Sequence, residues 1–380
     1  MTKPTAILPS AVILSAVILL FPPVVTLSAQ VAQDTTREEQ DTWDIEQSLG
    51  PTVPLSFETD EGTWMNVDLD PAGATVVFDL LGDLYTMPIA GGTATRISSG
   101  QSFDMQPRFS PDGSAITFIS DRSGAFNIWL MDPDGSNLRQ VSEESNREVN
   151  SPSWSPDGQY IFVRKHFVDE RSLGAGEVWM YHVTGGSGLQ VTERDGFQKD
   201  QGEPAISPDG RYLYYSRNVW PGQTFEYDKN VYETIYAILR RDLSTGEERT
   251  IVRRPGGSIT PRPSPNGTQL AFIRRVRDNT VLFLHDLSTG EDWPIFDGLD
   301  RDMQEAWAIH GVYTQYDWTP DGSGIVIWGQ GKIWLVDVAT ATAEIIPFVA
   351  QVDQTIHEAL RFEQQVGPSR FDVKMLRDVT

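Results

Sequence analysis

The amino-acid sequence predicts an all-β fold, a six-bladed β-propeller made of four-stranded antiparallel blades. Three observations support this prediction: a turn of the Ser-Pro-Asp-Gly type occurs six times, a short apolar strand follows each turn, and a further strand follows that one. The turn glycines are Gly73, Gly113, Gly158, Gly210, Gly267 and Gly322. Successive turn glycines are 40, 45, 52, 57 and 55 residues apart. Repeats of this length that contain only strands are typical of propellers, with one blade in each repeat.

The turn residues explain why the chain reverses at these points. Proline presets φ at the second position of a tight turn, aspartate hydrogen-bonds to nearby backbone, and glycine accepts the positive φ that reversal requires. The first turn reads Asp70-Pro71-Ala72-Gly73, and the fifth has asparagine, Asn266, where most of the others have aspartate.

The strand that follows each turn is apolar on both faces, whereas a strand with one wet face would alternate apolar and polar residues. Blades stack face to face, so their middle strands are buried on both sides. These six segments are 75–78, 116–119, 160–163, 212–215, 270–273 and 325–328. The third strands are 84–87, 128–131, 178–181, 235–238, 281–284 and 333–336. Short outer strands such as 138–142 and 189–192 complete the blades.

The sequence predicts four regions along the chain. Residues 1–29 have the pattern of a signal peptide, with Lys3, an apolar stretch and Leu27-Ser28-Ala29 as a cleavage site. Residues 30–50 are predicted to be a disordered acidic linker, 51–365 the propeller, and 366–380 the truncated start of a further repeat. The chain is therefore expected to be exported, periplasmic or secreted, with no membrane span after cleavage; an uncleaved N-terminal anchor is the alternative.

The charge balance excludes several classes of function. The formal net charge is −23, so nucleic acid and anionic membranes should repel the protein. The chain contains no cysteine, which excludes disulfides and thiol chemistry.

The repeats resemble the TolB-like, tricorn-like propeller family, in segments such as Asp121-Arg122-Ser123-Gly124 and 132–137. Segments 57–65, 78–85, 171–177 and 300–305 look like the N-terminal propeller region of exported bacterial amidohydrolases. That resemblance implies a propeller followed by a metal-dependent catalytic barrel. The barrel's His-x-His pair has no counterpart among the five histidines of this chain, so we assign no catalytic residue, no metal site and no cofactor, and leave enzymatic activity open.

Two functions remain open from the sequence. The first is a non-catalytic module that gates substrate or docks a catalytic domain of an amidohydrolase-like protein. The second is a stand-alone TolB-like periplasmic propeller that binds a protein partner. In either case one face of the propeller would contact the catalytic domain or partner.

The segment 298–311 interrupts the repeat between blades five and six and is the main candidate for a functional loop. Long loops on a rigid scaffold often carry function. The alternative is a cap with Trp307 packed inward and with Asp300 and Asp302 solvated. Propeller topology places this loop at the channel end where the inner strands begin. The predicted binding residues at this mouth are Gln106, Asn150, Glu203, Asp302, Glu305 and His310.

Ring closure is the last expectation. A propeller must pair its two ends, because open sheet edges promote aggregation. The spare segment 53–59 is predicted to pair near 343–346 or 350–356 in the last blade.

Overall fold

The computed structural model describes residues 44–47, 50–168, 173–196, 199–222 and 229–359 and a few positions beyond them; the side chains of 168, 173 and 174 are not described. The predicted signal peptide lies outside the described residues, as do most of the predicted linker and of the further repeat. In the linker, the Glu46 carboxylate accepts a hydrogen bond from the backbone N–H of Gln101, at 3.0 Å. The described residues contain no helix that is long and apolar enough to span a membrane.

The described residues form 26 β-strands and one turn of 3-10 helix, Val231–Glu233. Strand β1 is Thr52–Thr59. Blade 1 contains β2 to β5: Val67–Leu69, Thr75–Leu80, Asp83–Pro88 and Gly92–Arg96. Blade 2 contains β6 to β9: Asp104–Phe109, Ile116–Ser120, Asn127–Met131 and Arg139–Gln140. Blade 3 contains β10 to β13: Val149–Trp154, Tyr160–Val168, Leu173–His182 and Leu189–Gln190.

The second half of the chain repeats this arrangement. Blade 4 contains β14 to β17: Gln201–Ile206, Tyr212–Asn218, Tyr236–Asp242 and Glu248–Val252. Blade 5 contains β18 to β21: Ile259–Pro263, Gln269–Val276, Asn279–Asp286 and Asp292–Leu299. Blade 6 contains β22 to β25: Asp317–Trp318, Gly324–Gly329, Lys332–Asp337 and Ala343–Ile346. The last strand, β26, is Phe348–His357. Each blade pairs its four strands antiparallel in chain order, which confirms the predicted fold class.

The ring closes through β26, which adds to the sheet of blade 1. Residues Phe348, Val349 and Ala350 pair in parallel with Gly92, Thr93 and Ala94 of β5. Strand β1 then pairs antiparallel with β26, from Thr52 opposite His357 to Thr59 opposite Ala350. The predicted pairing of β1 with 350–356 is confirmed. Pairing with 343–346 is wrong because that segment is β25, and the closing strands belong to the sheet of blade 1 and not to that of blade 6.

The middle strands supply most of the core, as their apolar sequences indicate. Every residue of β7 and β23 is buried, and so is every residue of β3 except the first. Phe78, Phe118 and Phe272 are fully buried. Burial of apolar side chains such as these contributes much of the stability of the fold.

The six turns share one backbone structure, in which the glycine N–H donates to the carbonyl of the first turn residue. In the second turn, the Asp112 carboxylate accepts hydrogen bonds from the Ser110 hydroxyl (2.6 Å) and from the Ser114 backbone N–H (3.0 Å). Gly113 has a φ of +72°, the left-handed conformation that glycine adopts without strain. A Cβ atom at each turn glycine would lie 3.0–4.0 Å from the turn proline of the neighbouring blade, and the series closes with Gly73 against Pro320. The turns therefore form a closed ring at one end of the propeller.

Candidate functional site

The inner strands line the channel, and the residue four positions before each turn is polar in every blade. In blades 2 to 5 this residue lies at a β-bulge and has a left-handed backbone, with φ between 52° and 57°. These six residues are Asn66, Gln106, Ser151, Glu203, Thr260 and Gln315. All are buried, with at most 6% of their surface exposed.

Hydrogen bonds from these residues connect neighbouring blades. The Asp79 carboxylate accepts hydrogen bonds from the backbone N–H groups of Asn66 (2.6 Å) and Gln106 (2.8 Å). The Gln106 side-chain oxygen accepts one from the Ser151 N–H at 2.6 Å. Burial raises the pKa of Asp79 to about 6, although these hydrogen bonds favour the ionised form. The polar channel residues thus have a structural role.

The loop from Asp300 to Gly311 closes the channel end where the inner strands begin, which we call the loop-side mouth. Its backbone carbonyl groups face the blades. The carbonyl of Ile309 accepts a hydrogen bond from the Asn150 amide (2.7 Å), and that of His310 accepts one from the Gln106 amide (2.8 Å). Just after the loop, the Val312 N–H donates to Glu203 at 2.7 Å. The loop therefore contacts blades 2, 3 and 4 across the mouth.

An ion-pair cluster fixes the other side of the loop to blade 5. The Arg275 guanidinium lies 2.6 Å from Asp302 Oδ1 and 3.0 Å from Glu305 Oε2. Asp302 also accepts a hydrogen bond from the Thr280 hydroxyl at 3.0 Å and is only 1% exposed. The expectation that Asp302 is a solvated loop charge is therefore wrong, because blade 5 supplies a buried arginine as its partner.

His310 is the histidine of the predicted site. Its ring packs edge-on against Phe126, with 5.2 Å between centroids, and burial lowers its pKa to about 4. The ring is therefore neutral at neutral pH, and its Nδ1 has no hydrogen-bond partner among the described residues. In the part of the chain that the structure describes, no three His, Asp or Glu side chains lie where they could hold a metal ion.

The structure thus brings Gln106, Asn150, Glu203 and His310 together at the loop-side mouth. Asp302 and Glu305 lie beside them, paired with Arg275. Apart from His310 Nδ1 and Thr260 Oγ1, the polar side-chain groups described above bond to one another or to the backbone of the loop and the blades. A ligand-binding role for these six residues stays a prediction, and it would require the loop to move.

The opposite, turn-side mouth holds a cavity of about 350 Å³ that the sequence reasoning missed. Its floor comes from the residue two positions before the turn in every blade except blade 4, where Ile206 lines the cavity instead of Ala205. Four of the six residues at that position are charged and two are small, in the order Asp68, Arg108, Ser153, Ala205, Arg262 and Asp317. Prolines of the turns, including Pro71, Pro111, Pro265 and Pro320, line its rim. The sequence did contain a signal for this cavity: charged residues recur two positions before the turn, in inner strands that are otherwise buried.

The four charged residues of the floor form two ion pairs that contact each other, since Arg262 also lies 3.9 Å from Asp68. Arg108 Nη1 lies 2.7 Å from Asp68 Oδ1, and Arg262 Nε lies 3.3 Å from Asp317 Oδ1. Burial raises the pKa of Asp68 to about 7, and the nearby Asp317 carboxylate adds to this shift. The pKa of Asp317 is lowered, since Arg262 and a hydrogen bond from Asp68 outweigh the effect of burial. The floor therefore offers a donor, Arg262, next to an acceptor, Asp317.

Comparisons with known proteins agree with this fold. The family model of the TolB beta propeller domain matches residues 68–227. The "Uncharacterized peptidase YuxL" of Bacillus subtilis is 29% identical in an alignment of 149 residues that covers 32% of this chain and 22% of that protein. The "Protein TolB homolog" of Chlorobium luteolum is 29% identical over 182 residues, or 47% of this chain and 36% of that protein. The chain thus spans well under half the length of these relatives.

Among solved structures, TolB from Acinetobacter baumannii is similar with a TM-score of 0.55 and 14% identity, over 76% of this chain and 65% of that one. At this level of identity the likeness concerns the fold alone. The repeat turns and the closed ring of six blades show that the chain is a β-propeller, and residues 68–227 of it match the family model of the TolB beta propeller domain.

Proposed function

We propose that this chain is a non-catalytic binding module of an exported protein, and that it contacts a protein partner through its turn-side mouth. One observation carries the proposal: the loop covers the loop-side mouth, whereas the turn-side mouth opens on a cavity with charged groups on its floor. Concave sites with a few fixed polar groups are typical of recognition surfaces.

The arrangement of the rim favours a polypeptide partner. Proline rings and the side chains of Trp154 and Trp318 line this cavity, and the indole N–H groups donate to the carbonyls of Arg108 (3.2 Å) and Arg262 (3.0 Å). Aromatic rings fixed in this way offer rigid apolar contact area, and their side chains lose little conformational entropy on binding. Such rings are common in surfaces that bind proteins.

A second candidate is a propeller module within a larger hydrolase, where it would dock a catalytic domain or restrict its substrates. The similarity to the Bacillus peptidase favours it, because the matched region is only 22% of that protein. The more specific link to amidohydrolases stays a prediction. Substrate passage along the whole channel is disfavoured while the loop is in place.

Site-specific photocrosslinking tests the proposed surface. The crosslinker p-benzoylphenylalanine replaces Pro265 on the turn-side rim in one variant, and Met303 on the loop in another; both residues are exposed. We expect a discrete protein adduct in the producing cells from position 265 and none from position 303. Adducts from position 303 alone would contradict the proposal. An adduct that contains a hydrolase catalytic domain would favour the second candidate.

A further inference from the structure

A second cavity of about 390 Å³ continues the turn-side mouth toward the outside of the propeller. It lies between the turns of blades 2 and 3. It shares Ser110, Pro111 and Trp154 with the cavity of the turn-side mouth, which we call the axial cavity. Its outer end reaches Arg139 and Val183. The two cavities together make one groove, which we call the turn groove, and which runs from the channel axis to the outer strands.

The shape of the turn groove suits an extended chain more than a compact molecule. Its walls are the turn prolines Pro111 and Pro156, and the Trp154 ring lines both cavities. Proline rings and an indole fixed by a hydrogen bond present a rigid apolar surface. An extended segment can pack against it with little loss of side-chain conformational entropy in the groove. A cation can also stack on the indole face.

The charges of the outer cavity favour a cationic occupant. Asp112 and Asp157 are exposed on either side of it, and each uses Oδ1 to accept a hydrogen bond from the serine hydroxyl of its own turn, at 2.6 and 2.5 Å. These hydrogen bonds lower the pKa of both carboxyl groups, that of Asp112 to about 2, so both stay ionised near neutral pH. Arg139 is the opposing charge in this cavity, and its Nη1 donates to the Val183 carbonyl.

The charges of the axial cavity do not cancel the preference of the outer cavity for a cation. Arg108 and Arg262 are paired there with Asp68 and Asp317, and Asp70 adds a further carboxylate. The chain as a whole has a net charge of −23, so its field attracts cations at long range. An acidic segment would be repelled both at a distance and in the groove.

We propose that the turn groove binds an extended, basic segment of a partner polypeptide, with a lysine or arginine side chain over Trp154 between Asp112 and Asp157. This inference rests on the proposed function, since it takes the turn-side mouth as the binding surface. It adds the class of ligand and the path that the ligand follows.

The fifth turn supplies a control for the experiment. Asn266 stands there in the place of aspartate and makes the same contacts: its Oδ1 accepts hydrogen bonds from the Ser264 hydroxyl (2.7 Å) and from the Thr268 N–H (3.0 Å). Replacing aspartate with asparagine therefore removes the charge and keeps the turn. Asp112→Asn with Asp157→Asn changes the groove, and Asp209→Asn with Asp321→Asn makes the same change at two aspartates that line neither cavity.

The test measures fluorescence anisotropy with a labelled lysine-rich peptide, and with the same peptide carrying glutamate in place of each lysine. We expect the lysine peptide to bind and the glutamate peptide not to bind. The groove variant should weaken binding about tenfold, whereas the control variant should weaken it less than about threefold. Arg139→Gln should strengthen binding, because it removes the opposing charge.

Two results would overturn the inference: no binding of the lysine peptide to the unmodified protein, or equal weakening in the two double variants, which would indicate only general attraction to an acidic protein. These failures differ from failure of the proposed function. If a partner still crosslinks from position 265, the mouth is the binding surface and only the class of ligand is wrong.

Discussion

Three channel residues show why a strained backbone conformation persists in this chain. Gln106, Ser151 and Thr260 are non-glycine residues with a left-handed backbone, which is uncommon. The N–H of each donates to a side chain of the preceding blade: Asp79, Gln106 and Glu203 respectively. The bulge thus directs a backbone donor across the blade boundary, and the hydrogen bond compensates for the local strain.

The Arg275 cluster gives the first prediction at the scale of residues. Asp302→Lys should lower the free energy of unfolding by about 3–5 kcal/mol, because it removes one of the two carboxylates that pair with the buried Arg275 guanidinium and puts a second cation beside it. Chemical denaturation measures this change. Arg301→Gln is the control, since Arg301 is 73% exposed and should contribute less than about 1 kcal/mol. Equal stability of Asp302→Lys and the unmodified protein would mean that the cluster does not hold the loop.

Buried carboxyl groups give a prediction about pH. Burial raises the pKa of Asp68 to about 7 and that of Asp79 to about 6, so the folded protein binds these protons more tightly than the unfolded chain does. Their contribution to stability is complete below the unfolded pKa, near 4, and is lost as pH rises through 6 to 7. His310 acts in the opposite sense, since its contribution is lost as pH falls from about 6.5 through 4.

The measurement is therefore a difference between two proteins. Thermal unfolding is followed from pH 5 to pH 8 for the unmodified protein and for Asp68→Asn, which cannot titrate. We expect the unmodified protein to lose more stability than the variant over this range. Parallel pH profiles would show that the pKa of Asp68 is not raised in the folded state.

At the scale of elements, β26 has two different faces. Val352 is fully buried and Val349 is 42% exposed, although both lie on the strand that closes the ring. Val352→Ala should cost about 2 kcal/mol, because it leaves a cavity next to blade 1, whereas Val349→Ala should cost less than about 0.5 kcal/mol. Denaturant unfolding of this matched pair checks the prediction. Similar costs for the two variants would indicate that β26 does not pack as a closing strand.

The strands also show what the sequence can predict. Each turn depends only on local contacts: in the second turn, Ser110, Asp112 and Gly113 lie within four residues, and the Ser110 hydroxyl donates to Asp112. For that reason the spacing of the turns and the number of blades can be predicted from the sequence. The pairing of β26 with β5 joins residues more than two hundred positions apart. The sequence predicts that a closing pair exists, but the choice of blade depends on tertiary packing.

For the candidate sites too, local features could be predicted from the sequence, whereas contacts between distant residues could not. Propeller topology places the loop at the mouth with Gln106 and Glu203. The partner of Asp302 could not be predicted, because Arg275 lies 27 residues earlier in the chain and meets Asp302 only when the loop packs on blade 5. The turn-side mouth was missed since Asp68 and Arg262 are separated by almost two hundred residues and meet only when the ring closes.

At the scale of the whole molecule, the excess of negative charge opposes the compact state. Raising NaCl from about 20 mM to about 500 mM should therefore increase the melting temperature, because salt screens repulsion between exposed carboxylates and affects buried pairs much less. Scanning calorimetry at fixed pH checks this prediction, with an equal osmolality of sucrose as the control for water activity. A fall in melting temperature would mean that exposed ion pairs outweigh the repulsion.

The antiparallel pairing of β1 with β26, which we call the clasp, determines how the ring responds to a pulling force. Thr52 lies opposite His357, so the two ends of the ring leave the propeller side by side. A pulling force on these two residues would load one backbone pair at a time, and the strands would unzip from that end instead of shearing together. Since the chain has no cysteine, a pair introduced in place of Val53 and Ile356, which lie opposite each other, could bridge the clasp and transfer the load to β5.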